Sequence, residues 1–418
     1  MQPQREISLK SAFARGDGAT TLSIRDLVLP LDGHISLVSD LGGLERLADD
    51  WRELHQSCAH SAGIFQSAEW CLSWARLYMK PEHGTEPCVI TGYQDGALVF
   101  LWPLMKVRSG PFTILRWLTD PFAQYGDILV RSGTDARPWC RNAMEFLRRL
   151  KGIDCLRLRH VRADAAIHPF LSEQFHAAGE TDEAPFLDLT AYPTEAAYDK
   201  RYSREQRKRR NKIRKSLEAM GPVEFRVLPP GSAMDRAMEQ AITQKRRWLA
   251  ERGLYSKPLA CSYLEPFLRD LSRNAGAILL VTSCLTAGNR PISWEIGLRC
   301  GKTHFGFITA HDTSLTDASP GRLHMDMSQR QAIRDGMQVF DLMIPGDPHK
   351  QSWSNGRMAV HEFHAPLSMA GSLYIHIYLS LLRPIVRRFY HSAPAAIRTR
   401  FTRLFPPDCP FRRSATDW

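Results

Sequence analysis

None of the chain's nine cysteines (58, 71, 88, 140, 155, 261, 284, 300 and 409) falls in a Cys-x-x-Cys pair, and none stands at a Cys/His spacing suited to zinc. A zinc site is therefore not expected. An odd count without a framework points to reduced thiols in a cytoplasmic protein. No Walker or Rossmann glycine pattern is present, which argues against ATP hydrolysis and dinucleotide redox chemistry. No Ser-His-Asp order can be identified. There is no apolar run of about 18 residues, and the longest candidate, Leu373–Leu382, contains His376 and Ser380 and reads as too short to span a bilayer. The first residues lack an apolar segment, so a secretory signal is not expected either.

What remains is an ordinary soluble composition carrying an excess of positive charge. Of 418 residues, 44% are hydrophobic and 24% charged, enough for two or three domains with substantial cores. The net charge of +11 favours anionic partners without choosing among nucleic acid, phosphorylated ligands and an acidic membrane surface.

Residues 1–32 read as a flexible polar tail. Helical spacing over Leu41–Cys58 and a helix start at Ser67 then lead into a meander, with strands at Cys88–Tyr93 and Leu98–Val107 about a Gln94–Ala97 turn. Further strands are expected at Phe112–Leu118, Asp127–Val130 and Cys155–Val161, with helices at Arg137–Leu150 and Pro169–Ala178. The pattern then recurs. Helices Met234–Arg252 and Tyr263–Asn274 precede a second meander, Ala277–Cys284, Ile292–Arg299 and Thr303–Ala310, then a helix ending at Gly336 and a strand Met337–Ile344. This predicts an α/β (α+β) chain of two similar halves, 33–180 and 181–366, with a helical basic extension over 367–418.

The second half carries the more informative stretch. Ser319-Pro320-Gly321-Arg322 follows a strand and opens a helix, where unpaired N–H groups and the positive dipole end can hold an anion. Ser and Pro are also an ordinary N-cap and N1 pair. Arg322 in the first turn opposes the dipole, which makes more sense with an anion nearby. The corresponding first-half loop is Arg131–Asp135, with no such motif. Strand alternation puts Val339, Asp341 and Met343 on one face, so Asp341 is either at a pocket or paired with a base. His349 and Lys350 follow a Gly turn at a strand's C-terminal end, where α/β sites often sit, although a solvated turn has the same composition. Glu295 alternates with Trp294 and Ile296 and lies either on a solvated face or in a cleft as a general base.

Nine basic residues fall between Arg201 and Lys215. The only aromatics beside them are Tyr198 and Tyr202, so stacking on single-stranded nucleic acid is unsupported, and a solvated or substrate-facing helix is preferred. The segment Ser372–Tyr390 mixes apolar residues with Arg383, Arg387 and Arg388, with Pro384 expected to kink it. It reads as a helix docked on the domain, or alternatively as an interfacial helix at an anionic membrane.

Several stretches together resemble a known family. They are Phe65–Trp70, Lys245-Arg246-Arg247-Trp248, Ser319–Arg322, Phe340-Asp341-Leu342, and Gly346–Lys350 with Trp353. In order and spacing, over roughly 35–365, they resemble the GNAT-type acyltransferases of the CelD/BcsL group, whose domain is also called BioF2-like. That group is associated with cellulose and exopolysaccharide synthesis and is related in fold to the FemAB-type aminoacyl transferases. The resemblance implies two tandem GNAT-like domains, each a mixed sheet flanked by helices. It also implies acyl transfer, most simply acetyl, from acyl-CoA to an amine or hydroxyl of a sugar, glycan or related metabolite, with no metal. The CoA pyrophosphate would lie on Ser319, Pro320, Gly321 and Arg322. Lys350 would hold phosphate or polarise the thioester carbonyl, and Asp341, His349 or Glu295 would take the acceptor's proton. His349 stands where the family usually has Tyr, and its reference pKa suits a base. Two rivals remain. One is an aminoacyl-tRNA-dependent transferase, the only reading in which a nucleic acid is a partner. The other is a non-catalytic scaffold of a polysaccharide synthase. The expected location is cytoplasmic, with peripheral contact at the inner membrane face through 372–390 as the variant.

Overall fold

The computed structural model describes residues 23–24, 33–58, 61–80, 83–274, 276 and 278–394. The expected tail over 1–32 falls outside the described residues apart from 23–24, and the extension is described only to 394.

Among the described residues, fourteen strands form one mixed sheet: β1 (Ser23–Ile24), β2 (Gly33–Val38), β3 (Thr85–Gln94), β4 (Ala97–Ser109), β5 (Phe112–Trp117), β6 (Leu129–Val130), β7 (Cys155–Arg162), β8 (Ala177–Asp188), β9 (Val223–Leu228), β10 (Leu279–Ala287), β11 (Arg290–Cys300), β12 (Thr303–His311), β13 (Val339–Asp341) and β14 (Gly356–Pro366). Their order is β1-β2-β3-β4-β5-β7-β14-β8-β13-β12-β11-β10-β9, with β6 beside β4. The two meanders lie toward opposite ends of the sheet. Two parallel contacts, β5 with β7 and β12 with β13, occupy matching places in the two halves.

The helices that matter below are α1 (Ala68–Tyr78), α2 (Ala136–Arg149), α3 (Arg204–Glu218), α4 (Ser232–Glu251), α5 (Leu264–Arg273), α6 (Pro320–Arg334) and α7 (Pro348–Gln351). Ser67 caps α1 by accepting from Trp70 N, and α1 buries almost every side chain. Trp70 meets Phe267 of α5 edge-on with ring centroids 4.8 Å apart, and the Tyr78 hydroxyl lies 3.0 Å from Cys261 Sγ. One apolar core therefore runs through both halves.

The structure departs from the sequence reading at several points. Ala177–Asp188 and Gly356–Pro366 are strands, although neither reads as one. The expected strand Met337–Ile344 is only Val339–Asp341, because Met343 takes a left-handed φ of 60° that ends the extended run. The polar cluster after Pro345 is a helical turn, α7, capped by Asp347, whose carboxylate accepts from Lys350 N at 2.9 Å.

The sequence reading makes Leu373–Leu382 too short to cross a membrane, and the structure extends the helix on both sides of it. Helical segments Met369–Leu373, Tyr374–Leu382 and Arg383–Ser392 follow one another without a break. Met369–Val386 is long and apolar enough by length and composition. The middle segment is π-helical, and this wider turn meets Pro384, whose missing N–H would break a regular α ladder.

Candidate active site

The strand β11 carries a register break against β12 between Ile296 and Leu298, at Gly297. A Cβ on Gly297 would lie 2.6 Å from the His304 ring, so glycine is what lets that ring seat beside β11. There the His304 Nε2 lies 2.8 Å from Glu295 Oε1, with both side chains buried. The solvated-face alternative for Glu295 is thereby corrected: 2% of the residue is exposed. Alternation along β11 is real, but protein covers both of its faces. Burial pushes the Glu295 carboxyl up, and the hydrogen bond and charge of His304 more than offset this and hold it below the usual carboxylate range. Oε2 has no partner in hydrogen-bonding geometry among the described residues, although Ser328 is near enough to favour the charged form.

His324, on α6, is the second buried imidazole. Its Nε2 lies 2.8 Å from Ser283 Oγ, and burial drives its pKa down to about 4, against the pull of Glu295. It is therefore neutral at pH 7. Its Nδ1 also lacks a partner in hydrogen-bonding geometry among the described residues, with Ser293 backbone close by.

Glu295 and His324 line a cavity of ≈ 260 Å³ that opens at the start of α6. Ser319 sits there at φ 53°, ψ 48°, a left-handed conformation that serine rarely adopts, and its side chain caps nothing. The expected N-cap serine is thus displaced, and the first N–H groups of a 15-residue helix are left without a side-chain acceptor. Pro320 at the first helical position contributes no N–H of its own. A Cβ on Gly321 would come within 3.5 Å of His311 Nδ1, so this backbone closely approaches the end of β12.

Cationic groups cluster at the same opening. Lys245, Arg252, Arg322 and His349 line the cavity. Lys245 Nζ and the Arg252 guanidinium lie over the Trp248 ring at 4.7 and 4.4 Å from its centroid. Burial lowers the Lys245 pKa, with Asp347 opposing. Burial, then the Arg322 charge, lowers His349; burial, then Lys245 and Arg252, lowers His311. Both imidazoles are neutral at pH 7.

Five of the residues singled out from the sequence, Glu295, Ser319, Gly321, Arg322 and His349, line this cavity. Pro320, Asp341 and Lys350 do not. The Asp341 carboxylate accepts from Tyr125 Oη at 2.7 Å, Arg162 Nη1 at 2.8 Å and Met343 N at 2.7 Å, so it joins the two halves. Burial raises its pKa, with Arg162 opposing. Lys350 Nζ donates to the carbonyls of Met343 and Ile344 at 3.1 and 3.0 Å, and burial brings it down to about 8. It braces the left-handed turn after β13. His311, Arg252 and the cavity-facing part of His324 were not picked out from the sequence. His311 closes a strand that ends beside the Ser319 loop, the one local signal for it.

Arg322 also lines a second cavity of ≈ 270 Å³ with Tyr202, Arg209, Arg210, Asp326 and Trp353. Arg210 lies over the Tyr202 ring, 3.2 Å from its centroid, and is ion-paired to Asp326 at 2.8 Å. The buried Trp353 Nε1 has no hydrogen-bond partner among the described residues.

Residues 204–351 match the family model for the acetyltransferase (GNAT) domain. Both cavities are lined mainly from this span. No curated protein sequence matches the chain. Among solved structures it is similar to FemX, with 9% identity over 79% of this chain and 98% of that one and a TM-score of 0.54. It is also similar to the C-terminal domain of a putative lysylphosphatidylglycerol synthetase from Agrobacterium fabrum (11% identity, 81% of this chain and 98% of that one, TM-score 0.48). A tandem GNAT protein from the clavulanic acid biosynthesis pathway follows (11%, 80% and 99%, TM-score 0.42). The FemX match extends the mixed sheet flanked by helices over most of the chain. The chain carries an acyltransferase domain, and the chemistry it performs is acyl transfer.

Proposed function

We propose that the chain transfers an acyl group, most simply acetyl, from acyl-CoA to a hydroxyl or amine of a sugar, glycan or related metabolite. One observation carries this: an uncapped helix start ringed by Lys245, Arg252 and Arg322 shares a cavity with the buried Glu295, whose Oε2 has no partner in hydrogen-bonding geometry. The residues fit a CoA diphosphate, with the Gly321 N–H at the positive end of α6 and the Arg322 guanidinium as its donors, the Arg322 N–H being taken by the Ser319 carbonyl at 3.0 Å. When bound, acyl-CoA supplies an activated thioester. The protein's own work is to hold the anion, exclude water and receive a proton.

Glu295 is the group best suited to receive it. His304 fixes one carboxylate oxygen and the other has no partner in hydrogen-bonding geometry among the described residues, and direct attack by the acceptor requires no enzyme nucleophile. His349 and His311, neutral at pH 7, are the alternative bases at the rim. Lys350 acts by positioning, through the Met343 and Ile344 carbonyls, and Asp341 by joining the halves. The second cavity, reached past Arg322 and lined by Tyr202, Trp353 and the Arg210 guanidinium that lies over the Tyr202 ring, is where the acceptor would sit. Membership of the CelD/BcsL group and a role in cellulose or exopolysaccharide synthesis are part of this reading, on the motifs Phe65–Trp70 and Gly346–Lys350. A cytoplasmic location is part of it too.

Titration calorimetry of the full chain with acetyl-CoA tests the proposal. Saturable single-site binding is expected, lost in a folded Gly321→Val variant because a branched side chain crowds the approach to the helix start. No saturable binding by the wild type would overturn the enzyme reading in favour of a scaffold. Undiminished binding by the folded variant would remove the α6 start from the site. The exposed basic face of α3 favours a second reading, transfer of an aminoacyl group from tRNA. Salt-sensitive tRNA binding that disappears on neutralising Arg207–Arg210 would select it.

A further inference from the structure

Eleven large hydrophobic side chains are exposed among the described residues, and eight of them lie on the C-terminal helix: Met369, Leu373, Ile377, Leu381, Leu382, Ile385, Val386 and Phe389. Six recur at every fourth position from Met369, which is 92% exposed, to Phe389, which is 71% exposed. A step of four residues overshoots an α-turn of about 3.6 residues, so such a row would normally wind around the helix. The π-helical Tyr374–Leu382 segment has a wider turn that drifts the opposite way, so the row stays on one side.

The other side of this helix is fixed to the protein. Tyr374, Ile375 and Leu379 are buried with Ile114 and Cys155. Ser368 donates to Asp154 Oδ1 at 2.8 Å and caps Gly371 N at 3.0 Å. A Cβ on Gly371 would sit 1.7 Å from the Asp154 carbonyl oxygen, so helix and strand end are in direct backbone contact. Arg383 reaches Glu362 of β14 at 3.4 Å. A helix held in this way cannot thread a bilayer without stripping its buried face. It can lie on one.

We propose that this helix rests in the headgroup boundary of an anionic lipid bilayer, apolar row downward, and holds the acyltransferase at the membrane surface. Charge selects the occupant. Arg388 is exposed beside Phe389 at the end of the row, and the sequence beyond the helix adds Arg398, Arg400, Arg403, Arg412 and Arg413 against only Asp408 and Asp417. The whole chain carries +11. An apolar face flanked by arginines matches an acidic lipid surface. Two copies packed through the same face would bring these like charges together.

Flotation of the full chain with vesicles tests the idea, using phosphatidylcholine alone or with about one-third phosphatidylglycerol. Wild type should float with the anionic vesicles only, and less as salt rises. A Leu373→Glu/Ile377→Glu/Leu381→Glu variant alters only exposed positions. It should lose at least about tenfold in vesicle affinity, the loss expected from removing several inserted apolar groups, with acetyl-CoA titration as the independent check that the rest of the fold is intact. The proposal fails if wild type stays unbound or if the variant floats equally well. It also fails if the bound protein resists alkaline extraction, which marks a spanning helix. A wild-type dimer that the triple variant converts to monomer, without vesicle binding, would assign the face to a second copy.

Discussion

Two helices start at matching places in the two halves, and they start differently. α2 follows β6 and is capped by its own anion: the Asp135 carboxylate accepts from Arg137 N at 3.0 Å. Behind it Trp139 stacks on Phe100 and presses so closely on Gly92 that a Cβ there would lie 2.5 Å from the indole. α6 follows β12 and begins at a left-handed Ser319 that caps nothing, with a cavity where the first half has an indole. A helix start filled by a carboxylate of the chain has no capacity left for an external anion. One left open, with cations around it, does. The same scaffold position thus serves stability in one half and binding in the other.

The strongest way to break this comparison is to remove what only the open half has. Glu295→Gln should lower kcat by about 10²–10³-fold, the range for loss of a general base, while acetyl-CoA affinity stays unchanged. Normal turnover by the purified variant would move the base to the rim histidines. Next in size is the joint between the halves. Asp341→Ala leaves Arg162 and Tyr125 buried without their shared carboxylate and should cost about 3 kcal/mol of stability by urea unfolding, in one transition. Two separate transitions in the wild type would mean that the halves do not share this bond's stability.

Acid should then treat the halves alike. Burial drives His160 in the first half and His324 in the second down to about 4 from an ordinary 6.5. A neutral imidazole in the folded chain that protonates more readily when unfolded gives stability that is complete above about pH 6.5 and falls as pH drops toward 4. Melting temperatures measured across that window should decline, and His324→Asn should make the decline shallower, the remainder coming from His160 and the other imidazoles that burial lowers. The smallest effects come from exchanging the two caps. Ser319→Asp gives α6 the first half's solution, since aspartate tolerates a left-handed φ, and should weaken acetyl-CoA binding about tenfold without lowering the melting temperature. Asp135→Ala should cost about 1 kcal/mol and leave binding alone.

Both meanders, most helices and the loop at Ser319 could be read from alternation, helical spacing and turn residues. The seam between the halves could not. β8 contains Gly179, Glu180, Asp182, Glu183 and Pro185, and β14 contains three polar residues in His361-Glu362 and His364, so neither has strand propensity of its own. They are strands because each pairs with the other and with β7 or β13. Alternation puts Asp341 on a long strand that a single backbone angle at Met343 cuts short. Glu295 looked solvated because alternation cannot distinguish a face open to water from one covered by α6. Pairing partners, backbone sign and overlying helices are all non-local, and local pattern carries none of them.

The place of β14 has a consequence for how the chain is made. β7 can pair with β5 at once, but its other edge is covered only when residues 356–366 arrive, roughly 200 residues later, or about 10–40 s at ordinary translation speeds. Over that interval a nascent chain with an unpaired strand edge is open to pairing with other nascent chains on the same message. β7 carries Arg157, Arg159 and Arg162, which make that edge repellent to its own kind while it waits. When β14 docks, its Glu362 takes up Arg157 at 2.7 Å, and the guard becomes a latch.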